Sequence, residues 1–113
     1  KAAELGHAGA MNNLGVMYDH GYGVPENDTE AVKWFRAASE QGDASAQFML
    51  GVTYKFGRGV TQDNLSAHMW FNIAAANGVE KAIKGRRLLE QDMTSAQIAE
   101  AQKLAREWMQ KHQ

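Results

Sequence analysis

The stretch Leu14-Gly15-Val16-Met17-Tyr18-Asp19-His20-Gly21-Tyr22-Gly23-Val24 returns as Leu50-Gly51-Val52-Thr53-Tyr54-Lys55-Phe56-Gly57-Arg58-Gly59-Val60, 36 residues further on. Around it, Ala10, Ala31, Trp34, Phe35, Ala38 and Gly42 recur as Ala46, Ala67, Trp70, Phe71, Ala74 and Gly78. A chain that repeats at this interval builds one helix pair per copy, and each pair buries its apolar face against the next. The expected fold is all-α, a stack of antiparallel helix pairs. Its units are residues 1–9 (the end of a preceding repeat), 10–45 and 46–81 (two full repeats), and 82–113 (a degenerate repeat with a C-terminal capping helix). Because the chain opens inside a repeat, with Gly6 in the place of Gly42, further sequence upstream is expected.

Within each copy the helices are bounded by recognisable signals. Ala10, Leu14 and Tyr18 recur every fourth residue and predict one apolar stripe on a first helix ending at His20. Gly15 and Gly51 lie beside that stripe; a mid-helix glycine costs roughly 1 kcal/mol against alanine, so its recurrence predicts another helix backbone passing close by. Gly21 and Gly23 end the helix. Asn27 with Glu30 reads as a capping box for a second helix to about Gln41, its buried face being Ala31, Trp34, Phe35 and Ala38. The second copy predicts helices from Ala44 to Phe56 and from the Asp63 cap to about Asn77. In the third, Arg86 and Arg87 stand where Leu50 and Gly51 stood, so the pattern decays. Thr94 with Gln97 opens a longer amphipathic helix carrying Ile98, Ala101, Leu104, Ala105 and Trp108.

Taken together, Ala, Leu-Gly, Tyr, Gly-x-Gly-Val, Ala, Trp-Phe, Ala and Gly at these positions resemble the Sel-one-like repeat family, relatives of the tetratricopeptide repeats. The run Met93 to Gln102 is similar to the last helix of bacterial members. The resemblance implies a right-handed superhelical solenoid and a role as adaptor or scaffold for other proteins. A periplasmic or secreted location follows from the resemblance alone.

In such stacks the first helix of each pair lines the concave face. Residues pointing away from Leu14 and Tyr18 are Asn12, Val16, Asp19 and His20, and the same register selects Phe48, Val52, Lys55 and Phe56, then Lys84 and Leu88. These ten form the expected partner-binding surface. Phe48 and Phe56 replace Asn12 and His20, so the repeat framework does not demand them; they read either as interface anchors or as packing against a neighbouring loop. The Asn12 amide offers a donor and an acceptor to an extended peptide backbone, or is simply solvated. Lys81, Lys84, Arg86 and Arg87 form a basic cluster, read as a solvated face or a site for an acidic partner.

Other chemistries fit poorly. Gly21-Tyr22-Gly23 lacks the preceding strand and the Lys-Ser/Thr pair of a phosphate loop. The four histidines, His7, His20, His68 and His112, share no repeat position and no metal-ligand spacing, so no metal or other cofactor is expected. Asp19 and His20 are consecutive on a helix and make a poor acid–base couple. No nucleophile elbow, Ser-x-x-Lys or His-Glu-x-x-His occurs. The tryptophans Trp34, Trp70 and Trp108 read as core rather than as a stacking platform. A net charge of -1 gives no general attraction to nucleic acid, and no apolar run suits membrane insertion. The chain therefore reads as a non-enzymatic protein-interaction module binding a peptide or protein surface. The alternatives are a binder of cell-wall glycan or another small ligand, and a β-lactam-directed hydrolase, an activity linked to some relatives.

Overall fold

The structure, a computed structural model, describes residues 2–112, with side chains from residue 7 onward. Six helices follow one another: α1 (Ala2–His20), α2 (Asp28–Glu40), α3 (Ala44–Phe56), α4 (Asn64–Ala76), α5 (Glu80–Glu90) and α6 (Ser95–Lys111). No strand occurs among the described residues. α1 packs on α2 and α3 on α4, and the second helix of each pair packs on the first helix of the next, giving a helical-repeat solenoid.

Side-chain caps start most helices. Asn27 accepts a hydrogen bond from the Glu30 backbone N–H, Asp43 from Ala46 and Asp63 from Leu65, while Thr94 and Gln97 form the reciprocal box at α6. α5 begins at Val79 without any side-chain cap. The expected turn at Gly6 is absent: α1 runs through it from Ala2. At the corresponding turn before α3, Gly42 is left-handed and Asp43 caps the new helix; His7 occupies the Asp43 position within α1, and the helix continues unbroken. Lys1 lies outside the described residues.

The repeated glycines receive aromatic rings rather than the helix backbone expected from the sequence. A Cβ on Gly15 would lie 2.6 Å from Phe35 Cδ1, and one on Gly51 2.5 Å from Phe71 Cδ1. Phe35 and Phe71 are both buried, so each helix pair is closed by a ring pressed onto a bare stretch of helix. A Cβ on Gly85 would lie 3.0 Å from Phe71 Cε2. Although Arg86 and Arg87 break the Leu-Gly pattern, α5 still brings a glycine to the same aromatic ring.

The predicted stripe on α1 is only partly covered. Met11, Gly15 and Asp19 are buried, whereas Leu14 and Tyr18 are half-buried and Ala10 is exposed. In α3 the equivalent Ala46 and Leu50 are fully buried. The difference is one of neighbours: Ala46 packs with Ala8, Met11 and Ala38 of the pair before it, and no such pair precedes α1 among the described residues.

α6 closes the fold by packing along α4. Trp108 meets Trp70 edge-on at 5.3 Å, and Ala105 joins the cluster of Ala31, Val32, Phe35, Leu50, Trp70 and Ile73. Trp70 is thereby buried, while Trp34, its counterpart on α2, stays half-buried.

Candidate functional site

The first helices of the three units, α1, α3 and α5, frame a groove of about 590 Å³. Val16, Phe48, Met49 and Val79 give it an apolar lining; Asn12, Ser45, Glu80 and Lys81 supply the polar groups. Phe48 is held from behind by Phe71, with ring centroids 5.7 Å apart, so it is at once half core and half groove wall. The packing expected of that residue is thus provided by a ring of α4.

Of the ten residues selected from sequence, Asn12, Val16 and Phe48 meet in this groove. Val52 is half-buried and packs behind it with the Phe71 cluster. Asp19 departs from its expected place on the open face. It is 2% exposed, and its Oδ1 accepts a 2.7 Å hydrogen bond from Arg58 Nη2, which reaches back from the turn after α3. That turn packs tightly on α2, since a Cβ on Gly59 would sit 2.5 Å from the Asp28 carbonyl oxygen. His20 stacks on Tyr22 at 5.0 Å and lies 3.7 Å from Asp19 Oδ2, too far to share a hydrogen bond. Phe56 is 63% exposed with the Lys55 ammonium 5.3 Å from its ring centre. Lys84 and Leu88 are exposed on α5. These last residues lie outside the groove lining.

Sequence reading missed Ser45, Met49, Val79, Glu80 and Lys81. Ser45 and Met49 lie one turn apart on α3, flanking Phe48, and one 36-residue step carries Ser45 to Lys81. Val79 and Glu80 fall at the Asp43 and Ala44 positions, where the helix begins and the repeat gives no signal for a groove.

Beside the groove, α5 is fastened to α4 by four polar side chains. His68, fully buried, places Nε2 2.8 Å from Glu90 Oε2. Its Nδ1 is 2.9 Å from Asn72 Nδ2, and Arg86 Nη1 donates to Asn72 Oδ1 at 2.8 Å. Arg86 therefore has a structural partner and is not part of a free basic cluster.

A larger groove, about 800 Å³, opens where α2, α4 and α6 end. Its floor is already satisfied, because Gln47 Oε1 accepts from Asn77 Nδ2 at 2.8 Å and Gln47 Nε2 donates to the Ser39 carbonyl. Trp108 and His112 in its wall stack on each other at 3.8 Å.

Comparison with known proteins agrees with this architecture. No curated protein matches the chain. A protective antigen of uropathogenic Escherichia coli displaying an SLR fold is similar in structure, with a TM-score of 0.88 and 33% identity over 93% of this chain. A Sel1 repeat protein from Oxalobacter formigenes follows at 0.70 and 38% identity over 73%. The chain spans only 23% and 34% of those two chains. The Sel1 repeat family model matches residues 8–43 and 44–79, one helix pair each, α1 with α2 and α3 with α4. Sel1 repeats generally serve as protein-interaction modules. On two matched repeats and the SLR fold of its structural neighbours, the chain belongs to the Sel1 repeat family.

Proposed function

We propose that the groove between α1, α3 and α5 binds an extended peptide or a protruding loop of a partner protein, and that the chain acts as a non-enzymatic scaffold. The observation that carries this reading is the composition of the groove: four apolar side chains on α1, α3 and the start of α5, flanked by the Asn12 amide, the Ser45 hydroxyl and the opposite charges of Glu80 and Lys81. Apolar anchors supply affinity, and placed polar groups on helices supply orientation with little ordering cost. The pairing fits a peptide with one bulky apolar side chain seated against Phe48.

Ser45 tests this without touching the core, being exposed in the first turn of α3 and in the groove lining. Peptides selected from a random display library on the wild-type chain are expected to lose about ten-fold or more in affinity for Ser45→Arg, about 1.4 kcal/mol, with an unchanged melting curve. Equal affinity for both proteins would place the binding surface elsewhere.

A further inference from the structure

We propose that His68, Asn72, Arg86 and Glu90 form a proton-sensitive latch that fixes α5, and with it the Val79, Glu80 and Lys81 wall of the groove; its role in binding rests on the reading of that groove given above. The hydrogen-bond directions follow from elementary donor counting. Arg86 has only donors, so Asn72 must turn its oxygen toward it. The Asn72 amide nitrogen then faces His68 Nδ1, which has to be the acceptor. The ring hydrogen is left on Nε2, where it is donated to the Glu90 carboxylate. Every link is satisfied only when the imidazole is neutral.

Acid disrupts this arrangement at a definite atom. A second proton on Nδ1 would point at the Asn72 amide hydrogens, donor against donor, at a histidine with no exposed surface. Turning the amide only moves the conflict to Arg86. A protonated ring would keep its Nε2–H bond to Glu90, as the neutral ring does; the contact that protonation changes is the one at Nδ1. The charged groups of the cluster, Glu90 and Arg86, both come from α5, with Arg86 Nε 4.0 Å from Glu90 Oε2. No residue of α3 or α6 forms an ion pair with it among the described residues. Relief comes from turning the Asn72 oxygen to the new N–H, which expels Arg86 and with it loosens α5.

α5 is also the helix least able to resist. It buries only Ala82 and Leu89, against five residues in α3, and it starts without a side-chain cap. A larger share of its attachment falls on the latch.

The test needs no partner molecule, which separates its failure from failure of the groove reading. Amide hydrogen exchange is followed from about pH 7.5 to about pH 5 and expressed as protection relative to unstructured peptide. In the wild type, α5 is expected to lose about ten-fold in protection relative to α3 over that range. Asn72→Asp is nearly the same shape, but its carboxylate accepts from both Arg86 and a protonated Nδ1, so the acid loosening should vanish or reverse. Nitrogen shifts of His68 at neutral pH should report the Nε2–H tautomer. Protection of α5 and α3 falling in parallel in the wild type would overturn the latch, as would acid loosening in Asn72→Asp equal to that of the wild type.

Discussion

The junction between the first and second repeats and the junction between the second and third use the same sequence positions with opposite chemistry. Where α2 meets α3 the residues are Val32, Arg36, Leu50 and Tyr54. One step of 36 residues later, where α4 meets α5, they are His68, Asn72, Arg86 and Glu90. In the first, Val32 and Leu50 are buried in one apolar cluster, and Arg36 reaches out to donate to the Tyr54 hydroxyl at 2.9 Å. In the second, these four positions meet through directed hydrogen bonds beside the Phe71 cluster, and the histidine replaces the buried valine. The repeat thus conserves which positions meet across a joint and leaves free the force that joins them. Burial is non-directional and tolerates small shifts; a polar chain is satisfied in one geometry and one protonation state.

The largest expected effect comes from the ring that closes the second repeat and also meets α5. Phe71 is buried against Gly51 and Gly85, so Phe71→Ala should cost about 4 kcal/mol and release α5 together with α3, as read from denaturant unfolding. Survival of α5 protection in that variant would mean that the polar joint stands by itself. The two joints are then separated by paired substitutions at one repeat position. Leu50→Ala should cost about 3 kcal/mol through lost burial and an unfilled cavity, with little dependence on pH. Arg86→Leu, which installs the residue of the first joint, should cost only about 1 to 2 kcal/mol, since it strands the Asn72 oxygen rather than opening a cavity. Equal losses in melting experiments would erase the distinction. The smallest change is Val79→Thr, which keeps the shape of the residue and adds a capping hydroxyl where α5 has none. It should stabilise α5 by about 0.5 kcal/mol, visible as slower exchange of the α5 amides.

The helix pairs were legible because their causes are local. Asn27, Asp43, Asp63 and Thr94 announce helix starts, and Gly15 with Phe35, or Gly51 with Phe71, meet within one pair and so recur together. Asn12, Val16 and Phe48 were also placed in the groove by register alone. What escaped was set by a third element. Asp19 looks solvent-facing in its own helix, and only Arg58, 39 positions along, makes it a buried ion-pair partner. Ala10 and Ala46 are identical in the repeat, yet one is exposed and the other buried according to what packs beside them. Arg86 looked like the decay of a pattern because periodicity registers the loss of a leucine without naming the asparagine and histidine that replace its role.

The ring of Phe71 has a geometric consequence. Since Gly51 and Gly85 both abut it, at 2.5 Å and 3.0 Å for an added Cβ, the ring is the spacer that sets how near α3 and α5 each come to α4, with no side chain to act as a shim. A methyl added at either glycine would press on that ring, so the setting of these helices is adjustable one carbon at a time, from behind the Phe48 wall of the groove.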